Sequence, residues 1–297
     1  MNTFIPDTET ELYGLIGEKL SHSISAVFHN NGFRKLDYNA VYLMLEVEKG
    51  SLGKYVSALR TLNFSGWNVT IPYKEDIMDH LDGLSSLARD AGAVNTVLNR
   101  RGRLTGYNTD VIGIQRQIEE AGFPVKGRKA AVIGAGGAAR AVLVALEQLN
   151  LAEVAVINRT ASRAEELVNI FENRKTDIIY ESASLDEEKY AELIKNADLI
   201  IDTTPVGMYD NVSEKKIVIN TDYLNENQFI FDMVYNPLKT PLLKKAEEIG
   251  AQTANGLPTL IYQAEAAFKL WIQKMPDKKD WHKIAEEEIK KMAKDDD

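Results

Sequence analysis

The run Gly134-Ala135-Gly136-Gly137-Ala138-Ala139 follows an apolar segment rich in β-branched residues at 129–133 and opens a stretch of helical period,. Strand, tight turn and helix in that order suit a main chain that must come close to a pyrophosphate. Gly134 allows the turn, Gly136 lets backbone approach a phosphate, Ala139 allows close helix packing, and the N–H groups at the start of the helix, around Gly137 and Ala138, are free to bind. A second strand at 153–157 ends at Asn158 and Arg159, about where a carboxylate for a ribose 2′-hydroxyl would stand,. No carboxylate is there to repel a phosphate, and Arg159, Thr160 and Arg163 cluster at the next helix start. The expected ligand is therefore NADP rather than NAD. The competing reading makes the glycines an ordinary turn and Ser162 with Glu165 a capping box; the glycines, second strand and basic end together weigh against it.

A second set of residues could move a proton. In Asn68-Val69-Thr70-Ile71-Pro72-Tyr73-Lys74, Pro72 stands where a helix could begin and Lys74 in its first turn,. The positive end of a helix dipole would favour loss of the ammonium proton, which suits a general acid or base, although a solvated lysine has the same sequence. A partner is available in Asp110, which opens the expected helix 111–121 and could equally be its N-cap. Asn95 is a polar residue inside an otherwise apolar strand. Ser23 and Ser25 stand at the entry of an earlier helix, where hydroxyls and free N–H groups suit a carboxylate or one serine simply caps the helix.

The elements that must carry these groups alternate. Strands are expected at 12–17, 40–45 and 66–69 with helices between them, which implies parallel pairing, and a hairpin at 93–107 follows. After the glycines, strands at 153–157, 177–181, 199–202 and 229–232 with helices at 186–196 and 241–249 imply a doubly wound α/β domain. Leu257, Leu260, Ile261, Ala264, Ala267, Phe268 and Trp271 recur at helical spacing, so this helix is expected to be buried,. Gln263 lies at the edge of its apolar face. A last amphipathic helix starts near 280.

Composition narrows the class. The chain has 297 residues, 44% hydrophobic and 27% charged, enough for two domains of ordinary size,. A net charge of −9 argues against a nucleic-acid partner, and no apolar run approaches the roughly 20 residues of a membrane span,. The acidic start lacks the basic segment and apolar core of a signal peptide, so a cytoplasmic location is expected. With no cysteine and four scattered histidines, no metal site is expected,.

Several separate motifs resemble, in order, those of the shikimate dehydrogenase family: SHSIS at 21–25, NVTIPYK at 68–74, GAVNT at 92–96, GYNTD at 106–110 and the glycine turn. The resemblance runs from about residue 12 to residue 271. It implies that Ser23 and Ser25 bind a substrate carboxylate, that Asn68, Thr70, Asn95 and Asp110 bind ring hydroxyls, and that Lys74 and Asp110 form the catalytic pair. It further implies that Tyr235 and Gln263 touch substrate and that Thr204, Met233 and Gly256 lie at the cofactor. The implied reaction is the reversible reduction of 3-dehydroshikimate to shikimate with NADPH, on the way to aromatic amino acids. The implied fold is α/β, a substrate domain at 1–110 completed by C-terminal helices at 257–297 and a Rossmann-like NADP domain at 111–256, with the site in a cleft between domains. Lys19, Ala26, Asp202 and Thr259 depart from the family's usual residues. Two rivals share the motifs: a quinate/shikimate dehydrogenase of broader substrate or NAD use, and a non-catalytic NADP-binding regulator. Monomer and homodimer are both open.

Overall fold

The alternating strands and helices build two separate six-stranded sheets, one in each of two compact units, Met1–Ile112 with Ile261–Asp297 and Gly113–Leu260. The computed structural model describes residues 5–21, 23–174, 176–208, 216–275 and 278–295. Among them no helix is long and apolar enough to cross a membrane.

In the first unit β1 (Glu11–Gly17) pairs in parallel with β2 (Ala40–Glu46) on one side and β3 (Gly66–Val69) on the other. α1 (Ser25–Lys35) and α2 (Leu52–Thr61) make the crossovers. A two-residue strand, β4 (Gly83–Leu84), and a short helix, α3 (Ser86–Ala91), were not legible in the sequence; Ser85 caps α3 and Gly92 ends it in the left-handed region,. The hairpin is β5 (Thr96–Arg100) and β6 (Arg103–Tyr107), and β5 runs antiparallel to β3. Its turn residues Arg101 and Gly102 both have positive φ, 54° and 85°, as a two-residue hairpin turn requires,.

α4 (Thr109–Glu120) follows. The unit is completed by α9 (Leu257–Ile272), from Ile261 onward, and α10 (Lys278–Asp295). Trp271 donates its indole N–H to the Val97 carbonyl at 3.0 Å, and a side chain at Gly66 would meet that indole nitrogen at 2.3 Å. Trp281 of α10 is fully buried against Phe28 and Phe268.

The second unit carries β7 (Lys129–Ile133), α5 (Gly137–Gln148), β8 (Glu153–Asn158), α6 (Ala161–Glu172), β9 (Ile179–Ser184), α7 (Glu188–Asn196), β10 (Leu199–Asp202), β11 (Phe229–Asp232), α8 (Pro241–Ile249) and β12 (Gln252–Ala254). All six strands are parallel, in the order β12-β11-β10-β7-β8-β9. The order reverses between β7 and β10, the switch point at whose carboxyl end doubly wound sheets bind ligands. β9 lies two to three residues later than its sequence suggests, because Tyr180, Ser182 and Ser184 are set by register against β8 and not by an apolar pattern,. α8 has the expected limits, with Thr240 as cap, Pro241 in its first turn and Gly250 as left-handed stop,.

Candidate active site

No helix starts at Pro72. Residues 71–75 form turns that lead into a short 3-10 helix, Asp76–His80, and the Lys74 carbonyl accepts the Val94 N–H at 2.7 Å. That bond takes Lys74 out of any helical ladder and fastens it beside Asn95, which lies in the bend just before β5 and not inside the strand expected from 93 onward. No helix dipole therefore acts on the Lys74 ammonium in the way its place after Pro72 suggests. Nor is Asp110 an N-cap. It lies inside the first turn of α4, and Asn108 bonds the Val111 N–H at 3.3 Å instead. The Asp110 carboxylate is thus free for another task.

That task is an ion pair. Lys74 Nζ donates to Asp110 Oδ2 at 2.6 Å, and Asp110 Oδ1 accepts from Asn95 Nδ2 at 2.7 Å, with both charged side chains more than four-fifths buried. One ammonium hydrogen is used, and two remain for a ligand. Asn95 binds on through Thr109, whose N–H reaches its Oδ1 at 2.7 Å, and contacts Gln263 Oε1 at 3.3 Å. Thr96 Oγ1 joins Asn95 Oδ1 and Thr109 to Asn68, which donates to Thr96 Oγ1 at 2.9 Å and to the Asn95 carbonyl at 3.1 Å. Tyr42 OH closes the chain on Asn68 Oδ1 at 2.7 Å. Lys74, Asp110, Asn95, Gln263 and Asn68 thus form one network. Thr96, Thr109 and Tyr42 belong to it and were missed; threonines directly after Asn95 and Asn108 were the available signal.

Ser23 and Ser25 share a hydrogen bond of 3.2 Å at the start of α1, where no side chain caps the helix. Thr70 follows β3, and its N–H binds the Ile16 carbonyl of β1. Its methyl would meet a side chain at Gly17 at 2.5 Å, so Thr70 lies against the carboxyl end of the strand that leads to the serines. Tyr235 belongs to the second unit, in the segment after β11, half-buried, its phenol pushed up to about 12 by burial.

In the second unit the candidate cofactor residues gather at the carboxyl ends of neighbouring strands. Gly134 has φ of 106°, and a Cβ there would lie 2.4 Å from Thr203 Oγ1 and 3.4 Å from Thr204. A Cβ on Gly136, at the start of α5, would meet nothing within 4 Å, so open space lies over the turn where a pyrophosphate would sit. Ala135, Gly137 and Ala138 are half-buried around it, whereas Ala139 is fully buried against the sheet. Asn158 donates to the Thr160 carbonyl at 3.0 Å. Thr160 precedes α6 without capping it, and the Ser162–Glu165 capping box does not form. Arg159 and Arg163 are exposed, and neither has an acidic partner among the described residues. Gly256 lies so close to Met233 that a Cβ would fall 1.9 Å from its carbonyl oxygen. These residues fit a phosphorylated dinucleotide.

Two departures have structural accounts. Asp202 and Asp232 occupy paired positions on β10 and β11, and both are buried. Asp202 accepts the Thr204 N–H at 2.8 Å; Asp232 accepts the Val234 N–H at 2.9 Å and the Thr240 hydroxyl at 2.6 Å. Burial, and for Asp202 also the neighbouring Asp232 charge, push these carboxyls above the usual range,. Thr259, at the start of α9, donates its N–H to Gln117 Oε1 at 2.7 Å and its hydroxyl to the same oxygen. Its polar groups are thereby satisfied inside the second unit.

The sheet order, the glycine turn at the switch point and a lysine–carboxylate pair in a separate α/β unit define a two-domain α/β protein of the dinucleotide-dependent kind. Family models match residues 15–97, the shikimate dehydrogenase substrate binding domain, and 117–236, shikimate / quinate 5-dehydrogenase. The shikimate dehydrogenase (NADP(+)) of Halothermothrix orenii is 43% identical over 272 residues, 91% of this chain and 94% of that protein. Shikimate 5-dehydrogenase of Listeria monocytogenes, in complex with shikimate and NAD, superposes with a TM-score of 0.85 at 36% identity, covering 95% of this chain and 98% of that one. The Thermus thermophilus enzyme, in complex with NADP(H) and shikimate, gives 0.82 at 33% identity, with coverage of 94% and 99%. The chain belongs to the shikimate dehydrogenase family.

Proposed function

We propose that this protein catalyses the reversible reduction of 3-dehydroshikimate to shikimate with NADPH, a step toward aromatic amino acids. The observation that carries the reading is the Lys74–Asp110 pair at 2.6 Å, locked to Asn95 and set in a network of hydroxyls and amides. NADPH, when bound, supplies a hydride to the carbonyl carbon of the substrate. Lys74 Nζ stabilises the charge that develops on the carbonyl oxygen and gives it a proton, leaving a hydroxyl; in the other direction it takes that proton back. Asp110 keeps the ammonium charged and aimed. Asn95, Gln263, Asn68 and Thr70 receive the ring hydroxyls, Tyr235 also touches substrate, and Ser23 and Ser25 take the carboxylate.

In the second unit the backbone around Gly134, Ala135, Gly136, Gly137 and Ala138 holds the pyrophosphate. Arg159 and Arg163, with Asn158 and Thr160, hold the 2′-phosphate; the free state of both guanidiniums supports this,. Thr204, Met233 and Gly256 line the cofactor. The substrate partner is a small molecule, and the setting is cytoplasmic.

The test is absorbance of reduced nicotinamide with shikimate or quinate, each with NADP or NAD. Rapid reduction with shikimate and NADP alone is expected. Equal turnover of quinate would move the reading to a quinate/shikimate dehydrogenase, and silence in all four mixtures with NADP still bound would replace it with a regulator.

A further inference from the structure

The amide of Asn68 has a fixed orientation. The Asn95 carbonyl can only accept, so the group that faces it at 3.1 Å is Nδ2, and the second Nδ2 hydrogen goes to Thr96 Oγ1 at 2.9 Å,. Tyr42 OH donates to Oδ1 at 2.7 Å. One lone pair of Oδ1 is left, and Asn68 can meet a ligand only as an acceptor. Tyr42 is itself held firmly. Its ring lies stacked on His29 with centroids 4.4 Å apart and an interplanar angle of 14°, and it is 2% exposed. Burial raises its phenol well above the ordinary value, so it remains a donor throughout the working pH range,. Its main-chain N–H and carbonyl are both taken by the Asn30 side chain.

We propose that Tyr42 is a positioning residue for substrate recognition, holding Asn68 as an acceptor-only contact that selects a hydroxyl on the substrate ring. This rests on the reading of the chain as a shikimate dehydrogenase. Without the phenol, the amide loses the bond that holds Oδ1 in place, and the remaining lone pair is no longer aimed. A ring position that cannot donate is refused because it leaves that buried oxygen unpaired.

The experiment compares wild type with Tyr42→Phe, using shikimate and its 4-deoxy and 5-deoxy analogues, both of which keep the C3 hydroxyl that is oxidised, with NADP. In the variant the KM for shikimate should rise about tenfold with kcat within about twofold, while the KM for NADP stays unchanged. The wild-type preference for shikimate over one of the two analogues should shrink about tenfold, and the preference over the other should stay as it is. Equal loss on all three substrates, or unchanged KM and preferences, would overturn the proposal. If the variant does not fold, the side-chain amide spectrum of wild type decides. Both Asn68 Nδ2 hydrogens should exchange slowly already in the free protein and stay so when shikimate is added, whereas an Nδ2 hydrogen that exchanges fast until shikimate protects it would show the amide donating to the ligand and defeat the inference. A wild type that turns over no shikimate fails at the earlier step, and the function falls before Tyr42 is in question.

Discussion

The two units treat buried charge in opposite ways. In the first, Asp110 is matched by Lys74 and by the Asn95 amide, so ionised groups are compensated in place. The nearby His29 is buried among Tyr42, Phe268, Trp271 and Trp281 with neither ring nitrogen bonded, and burial pushes its pKa down to about 3, which keeps it neutral. In the second, Asp202 and Asp232 stand side by side with backbone N–H groups and a threonine hydroxyl for company, and two of the unit's cations, Arg159 and Arg163, are left in solvent without an acidic partner among the described residues. A unit that must transfer a proton needs an ammonium kept charged by a fixed partner. A unit that must bind a phosphate needs cations with no partner until the ligand arrives.

The largest expected effect comes from making the first unit resemble the second. Lys74→Met leaves Asp110 buried with no cation; kcat should fall by about 10²–10⁴ while NADPH affinity, read by titration of its nicotinamide fluorescence, is unchanged. Full turnover in that variant would end the catalytic assignment.

Next comes the response to acid. His29 is neutral when folded and has an ordinary pKa of 6.5 when unfolded, so the unfolded chain takes up the proton first,. Stability is complete above that value and is lost as pH falls from 6.5 toward 3, by about 2 kcal/mol at pH 5. All three tryptophans, Trp67, Trp271 and Trp281, belong to the first unit, so their fluorescence during urea unfolding reads it selectively. Acidification from pH 7 to 5 should lower their midpoint, and His29→Gln should flatten the slope.

A third change tests the waiting cations. Arg159→Ala should weaken NADP about tenfold and leave NAD unaffected, measured by competition binding. Equal loss for both would place the arginine away from the 2′-phosphate.

The smallest effect has the opposite pH sign. The raised carboxyls at Asp202 and Asp232 make the folded state hold a proton that the unfolded state has released, so this unit loses stability as pH rises from about 4 through the folded titration,. Asp202→Asn should remove most of that slope and raise the melting temperature by a few degrees at pH 8, seen by slower hydrogen exchange in β10 and β11. An unchanged slope would mean that the pair does not share its charge problem.

What could be read beforehand depended on how far apart the interacting residues lie in the chain. Cap, proline and glycine chemistry at Thr240, Pro241 and Gly250 set the limits of α8, and the glycine turn stands at the switch point because strand, turn and helix are contiguous. Lys74 failed as a helix residue because its carbonyl is claimed by Val94, twenty residues on, which no local pattern reveals. Asp110 looked like a cap because position alone does not separate it from Asn108, whose side chain does the capping. Thr259 and Gln117 are 142 residues apart and meet only in the fold.

By itself the sequence determined the alternation of strands and helices, the glycine turn between strand and helix, the missing carboxylate after the second strand and the residue types of the candidate site, since these follow from local sterics, periodicity and charge. Tertiary structure alone decided that Lys74 pairs with Asp110, that Asn68 donates to Asn95 and Thr96 and accepts from Tyr42, and that Asp202 faces Asp232. Each is a matter of which side chains face one another across sheets and loops, and that is set by long-range register and by the need of every buried polar group for a partner.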